Sequence, residues 1–178
     1  MTAKDLISDV VPALKTSDTA QTALNWMETF RVSHLPIVNE SDYLGLISDS
    51  DIFDLNQPEE PIGNHELSLP RPCVKLTQHI YEVIALSARH KLTVVPVVDD
   101  QMHYRGVITY NDMIRGVASF SSIEQPGGVI MLNVVARDYS MSRISQIVES
   151  NDARILSMAI TSDRSEEHTS ELQSPNTI

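Results

Sequence analysis

The chain matches itself. Arg31-Val32-Ser33-His34-Leu35-Pro36-Ile37-Val38 aligns with Lys91-Leu92-Thr93-Val94-Val95-Pro96-Val97-Val98 at an offset of 60 residues. A repeated apolar pattern at fixed spacing implies two like units that bury each other's apolar faces. Upstream, Ala20, Ala23, Leu24 and Met27 fall on Ile80, Val83, Ile84 and Ser87. That i, i+3, i+4, i+7 spacing marks one buried helix face in each copy. Thr16-Ser17-Asp18 and Leu76-Thr77-Gln78 offer capping side chains where those helices are expected to begin.

Downstream, the second copy gains one residue. Gly45-Leu46-Ile47-Ser48-Asp49-Ser50-Asp51-Ile52 aligns with Gly106-Val107-Ile108-Thr109-Tyr110-Asn111-Asp112-Met113 at an offset of 61. The extra residue falls in a polar turn, Asn39 to Tyr43 against Asp99 to Tyr104, where a hairpin tolerates it. Each copy thus predicts helix, strand, turn, strand, helix. The strands are apolar nearly throughout, so both of their faces should be covered. A copy of roughly 50 residues is too small to be comfortable alone. Two copies packed together would share a core about a pseudo-two-fold axis. Residues 57–64, rich in proline, charge and glycine, read as the linker.

The same alignment brings out a repeated chemical pattern. Ser48 and Thr109 are expected at strand ends, with Asp51 and Asp112 three residues later in the first turn of a helix. Hydroxyl and carboxylate then share a face beside the free N–H groups of the helix start. A carboxylate offers two acceptors, which suits the vicinal diol of a ribose. Free N–H groups with a hydroxyl suit a phosphate. Gly45 and Gly106 remove a side chain where a ligand would approach the backbone. Ser-x-x-Asp and Thr-x-x-Asp are also relatives of the capping box, which needs no ligand, and duplication would copy a cap twice.

Composition excludes other chemistries. Among 178 residues the net charge is -11, which repels phosphate backbones and anionic lipid, so neither nucleic acid nor membrane is an expected partner. No basic-then-apolar leader opens the chain, and the longest apolar run, Val129 to Ala136, is too short to span a bilayer. Cys73 is the single cysteine, which fits a reducing, cytoplasmic setting. The histidines, His34, His65, His79, His90, His103 and His168, lack zinc-ligand spacing, so no metal site is expected. No nucleophile elbow, P-loop or dinucleotide fingerprint occurs, and the chain is not expected to be an enzyme. Asp49, Asp51 and Asp54 lack the glycine and terminal glutamate of a calcium loop. Trp26, Met27 and Phe30 read as helix core or an oligomer face.

The doubled h-P-h-V, turn, G-h-h-[ST]-x-x-D-h pattern resembles a tandem CBS-motif pair, or Bateman module, over residues 3–118. Lys4 to Val10 resembles the short lead-in helix of such motifs. The resemblance implies an α/β (α+β) fold with pseudo-two-fold symmetry. It divides the chain into a first motif at 1–60 and a second at 61–122. It implies a non-catalytic regulatory module that binds an adenosine compound, either AMP, ADP, ATP or S-adenosylmethionine, as regulatory ligand with no required cofactor. By the same resemblance Asp51 and Asp112 would bind ribose. Ser48 and Thr109 would lie near phosphates, and Leu35-Pro36 and Val95-Pro96 would wall the adenine pocket. Nucleotide-sensing relatives carry basic side chains beside the h-P strand. Here the matching positions are Ser33, His34, Thr93 and Val94, of which only His34 can carry charge, so the first site is the better phosphate candidate. Arg105 is read as a surface residue. CBS pairs also associate side by side, so a homodimer is expected, and a ligand-independent dimerisation and interaction scaffold is the alternative function.

After Ser119-Phe120-Ser121-Ser122 the pattern changes. Val129 to Ala136 reads as a strand, Ser140 to Ser150 as a helix, and Ala153 to Ile160 as a strand. Over residues 123–163 this order resembles the first half of an ACT-like, ferredoxin-like domain. Such domains follow CBS pairs in acetoin-utilisation-type regulators. Their ligand loop is usually D-x-x-G; Asp138-Tyr139-Ser140-Met141 has no glycine. Residues 164–178, Arg164-Ser165-Glu166-Glu167-His168 onward, resemble the in-frame translation of a sequencing-library adapter and are read as a non-native tail.

Overall fold

In each half, helices with a period-3.6 apolar stripe alternate with strands that are apolar nearly throughout, and the chain follows that pattern. The computed structural model describes residues 1–54, 59–64, 71–135, 137 and 139–161. It divides into two units, residues 1–124 and 125–178.

The first unit holds both copies. A 3-10 turn, Ala3–Leu6, precedes β1 (Leu14–Lys15), α1 (Ala20–Phe30), β2 (His34–Asn39), β3 (Asp42–Ser48) and α2 (Asp49–Asp54). A second 3-10 turn, Ile62–Asn64, precedes β4 (Val74–Lys75), α3 (Ile80–His90), β5 (Val94–Val98), β6 (Tyr104–Thr109) and α4 (Tyr110–Phe120). Each copy forms a three-stranded sheet, β1-β2-β3 or β4-β5-β6. In both, the short first strand is parallel to the second and the hairpin partner antiparallel. Neither two-residue strand shows a readable alternation in the sequence, which is why the expected element order lacked them.

The helix faces are as the periodicity predicts. Ala20, Ala23 and Met27 of α1, and Ile80, Val83 and Ser87 of α3, are buried. The caps differ from expectation. Thr19 caps α1 by accepting from the Thr22 amide at 3.2 Å, and His79 caps α3 through Nδ1 with Glu82 reaching back to its amide. Asp18 and Gln78 instead accept from the Lys15 and Lys75 amides at 2.8 and 2.6 Å, closing the turn between strand and helix. An Asx-type turn closes on its own backbone, so it competes with a cap for the same residue types.

The two copies exchange their lead-ins. The Ala3 and Lys4 amides donate to the Gln78 and Leu76 carbonyls of the second copy, at 2.8 and 3.1 Å. The Ile62 and Gly63 amides donate to the Asp18 and Thr16 carbonyls of the first, at 2.9 and 2.9 Å. The reciprocity is what a pseudo-two-fold axis requires. Residues of both copies then form one apolar core, with Leu14, Leu35, Leu46 and Ile47 packed with Ile80, Val94, Val95 and Ile108. The hairpin turns also join, the Tyr104 amide donating to the Ser41 carbonyl at 2.7 Å. Among the described residues, no helix is long and apolar enough to cross a membrane.

The second unit contains α5 (Met141–Glu149), capped by Ser140, inside the predicted helix. The two flanking strands predicted there do not form: residues 129–135 and 153–161 are in no sheet. A strand needs a ladder partner, and the ferredoxin-like order places a third strand between these two. None of the described residues supplies it. Val129 to Val135 is accordingly exposed, with Val129 at 94% and Met131 at 92%. The tail at 164–178, Asp138 and Ala136 lie outside the described residues.

Candidate functional site

The strand-end hydroxyls and helix carboxylates fall where the alignment places them. Ser48 ends β3 and α2 starts at Asp49; Thr109 ends β6 and α4 starts at Tyr110. In the first copy, Asp51 Oδ2 accepts from the Ser48 amide at 2.8 Å and from Ser48 Oγ at 2.6 Å. The Asp51 amide donates back to Ser48 Oγ at 3.1 Å. In the second, Asp112 Oδ2 accepts from the Thr109 amide at 2.9 Å and from Oγ1 at 2.5 Å, and the Asp112 amide donates back at 3.3 Å. Both are reciprocal capping boxes, each satisfying two backbone donors at a helix start.

In the second box a guanidinium takes part. Arg115 Nη2 donates to Asp112 Oδ1, one turn along α4. Asp112 is buried, whereas the Arg115 side chain is 78% exposed. Burial pushes the Asp112 carboxyl upward, but hydrogen bonds from Thr109 and Arg115 outweigh it and hold the group below the ordinary carboxylate value. Sequence analysis missed Arg115. The signal was present, since an arginine three residues after an aspartate on one helix is a pairing distance.

His34 lies between the copies rather than in open solvent. Its side chain is buried beside the pseudo-two-fold axis, with Nδ1 at 3.1 Å from Thr93 Oγ1 and 3.4 Å from the Thr93 amide. The Ser33 amide donates to the same Thr93 hydroxyl at 3.0 Å. Thr93 Oγ1 accepts from Ser33 and is free to donate to His34. Two donors then point at Nδ1, which requires the neutral imidazole with its proton on Nε2. Burial lowers the His34 pKa below the usual histidine value, against the opposing pull of Asp49 and Asp51. A cation at His34 near neutral pH, the basis for preferring the first site for phosphate, is therefore disfavoured by desolvation.

The other named residues sort by burial. Leu35 and Val95 have no exposed surface, and Pro36 and Pro96 are buried beside them. As they stand these residues serve the core. Arg105 pairs with Asp99 at 2.6 Å, as a surface reading implies. Burial pushes Asp99 upward, but hydrogen bonds from the His103 amide, Arg105 and Gln101 bring it down to about 2. An open groove of about 480 Å³ runs between α1 and α2, lined by Leu24, Met27, Glu28, Arg31, Asp49 and Phe53, with Ser33 also on its wall. It neighbours the first box without including Ser48 or Asp51. Among the described residues, no group of three or more His, Cys, Asp or Glu side chains can hold a metal ion.

The CBS domain family model matches residues 3–57 and 66–119, the two copies just described. The chain belongs to the CBS domain family. Its paired CBS fold is shared with a CBS domain pair/ACT domain protein from Thermotoga maritima. That structure has TM-score 0.60 and 22% identity, and the match covers 67% of this chain and 98% of the other. CBSX2 in complex with AMP matches at TM-score 0.57 and 21% identity, over 70% of this chain and 98% of that one. An acetoin utilization protein from Vibrio cholerae also matches at TM-score 0.57 and 21% identity, over 70% and 95% of the two chains. In sequence, the chain is 23% identical over 145 residues to the inosine-5'-monophosphate dehydrogenase of Methanocaldococcus jannaschii. The match covers 81% of this chain and 29% of that enzyme. The CBS pair thus spans less than a third of such a relative.

Proposed function

We propose that this CBS pair is a non-catalytic regulatory module that binds an adenosine-containing ligand. Two copies of a hydroxyl–carboxylate helix start, related by a pseudo-two-fold axis, carry the reading. The fold's occurrence in a protein that holds AMP supports it. Asp51 and Asp112 would accept from ribose hydroxyls, with Ser48 and Thr109 beside the phosphates and His34 as a neutral donor through Nε2. Leu35-Pro36 and Val95-Pro96 would back the adenine pockets once a ligand parts the copies. The exposed guanidinium of Arg115 favours the second copy for an anionic ligand. Opening either box trades an internal hydrogen bond for one to ligand, so binding should couple to the packing of the copies.

Thermal denaturation of the full chain with millimolar AMP, ADP, ATP or S-adenosylmethionine tests this. A ligand present at one hundred times its Kd adds about 2.7 kcal/mol of stability. At least one compound should raise Tm, and Asp112→Ala should abolish most of the rise. Silence from all four compounds on the wild-type chain would end the proposal.

A second reading, a homodimeric scaffold indifferent to nucleotide, draws on the exposed Phe53, Tyr110 and Ile114 of α2 and α4 (75%, 60% and 56% exposed). Such residues on paired helices mark an association face. Sedimentation with and without AMP separates the two: a scaffold gives a dimer that ignores the nucleotide.

A further inference from the structure

We infer that His34 makes the first copy a proton-linked anion site, at which the ring takes up a proton from solvent as the phosphate of a bound adenosine ligand reaches it. This rests on the ligand-binding reading above and adds its regulation by pH. The register of the first sheet is the starting point. His34 of β2 stands directly opposite Ser48 of β3. Residues opposed in an antiparallel pair project to the same face of the sheet, so the imidazole and the Ser48–Asp51 box share one face. The same ring reaches Thr93 of the second copy at 3.1 Å. A phosphate held by the Ser48 hydroxyl therefore arrives beside His34, at the junction of the two copies.

The charges acting on the ring are negative. Asp49 and Asp51 of α2 favour the imidazolium, but desolvation outweighs them and favours the neutral ring in the ligand-free fold. From the second copy, β5 packs on β2 and has no ionisable side chain. Arg31, at the end of α1, lines the neighbouring groove beside Asp49. A phosphate adds a charge of about −1.5 to −2, which tips the balance toward the imidazolium. Nε2–H donates to the phosphate, and the added proton goes to Nδ1. Thr93 can receive it. Its hydroxyl has two lone pairs, of which the Ser33 amide uses one. Oγ1 then turns from donor to acceptor, and the Thr93 amide gives up its 3.4 Å contact with Nδ1. The link between the copies persists with its polarity reversed. The second copy has Val94 at the matching position and a permanent guanidinium in Arg115, so anion binding there lacks this linkage. Because the ring is charged only in the complex, affinity rises as pH falls and levels off below the pKa of the free ring. One linked proton changes affinity by at most about tenfold per pH unit.

Calorimetric titration of the full chain with AMP tests this, between about pH 6.5 and pH 8 and above the second phosphate ionisation near pH 6. Each titration is run in two buffers of different ionisation enthalpy, with adenosine as the uncharged comparison. The wild-type chain should take up as much as about one proton on binding AMP, and bind it several-fold more tightly at the acid end. Adenosine should show neither effect. His34→Gln keeps an N–H donor but cannot titrate, and should lose both the uptake and the pH dependence. NMR titration of the wild-type His34 ring needs no variant, and its midpoint should move up when AMP is added. AMP binding without proton uptake, a midpoint that stays in place, or equal uptake by His34→Gln would overturn the inference and leave the nucleotide reading standing. Absence of AMP binding at every pH would overturn both.

Discussion

The two copies are near-identical in backbone and unlike at their polar centres. Each uses a two-residue parallel strand, a hairpin, a helix ending in a left-handed cation (Arg31, Lys91) and a reciprocal capping box. They differ at individual polar positions. His34 stands opposite Val94, Asp54 opposite Arg115, and Thr19 opposite His79. The copies share the backbone devices that fold the chain and differ in single polar side chains. A buried methyl group has few acceptable substitutes, whereas an exposed charge costs little to exchange.

The comparison is hardest to break in the core. Ile47→Ala and Ile108→Ala occupy equivalent buried sites on β3 and β6, and each should cost about 2–5 kcal/mol in chemical denaturation. The two losses should agree closely and occur in one transition, since both residues belong to one core. Two separate transitions would show that the copies fold independently.

A smaller effect is expected where the first copy's lead-in crosses the second. Gly106 has φ +133°, and an added Cβ would sit 2.6 Å from Ile7 Cγ2. Gly106→Ala should cost about 1–3 kcal/mol through backbone strain. It should also loosen protection of the Ser8 amide, which donates to Val107, in hydrogen exchange.

The boxes differ by less again. Asp51→Asn and Asp112→Asn each weaken a cap, worth about 1 kcal/mol, with the larger loss at the buried, Arg115-paired Asp112. The Asp112 pKa is depressed on folding, so its contribution is complete above the unfolded carboxylate value. It should fade as pH falls through the lower folded value. Melting curves between pH 5 and pH 2 on wild type and Asp112→Asn should converge at the acid end; parallel curves would refute the assignment.

The smallest effect belongs to His34. Its folded pKa is also depressed, so its neutral form is favoured in the fold and stability is lost as pH falls below the ordinary histidine value. His34→Val, which copies Val94, should flatten the stability curve between about pH 7 and pH 5. NMR titration of the ring should give a midpoint below that of an exposed histidine.

Much of this architecture is legible in the residues. The offsets of 60 and 61, the apolar helix stripes and the Ser/Thr-x-x-Asp boxes all come from patterns within a few positions of each other. Arg115 is legible too, at helical pairing distance from Asp112. The caps at Thr19 and His79 were not legible, because Asp18 and Gln78 offered the same chemistry one residue earlier. The strands expected after Phe120 failed for another reason. Val129 to Val135 has a strand's composition, but composition cannot provide a neighbour to pair with.

By itself the sequence determined two like half-modules, their strand and helix order, and the hydroxyl and carboxylate at each helix start. Local propensity and hydrogen bonds across three or four residues suffice for those. Only the tertiary structure decided that the lead-ins cross over and that His34 is a desolvated neutral ring held by Thr93. Those outcomes depend on groups about 60 residues apart losing their water together, and no local pattern reports that.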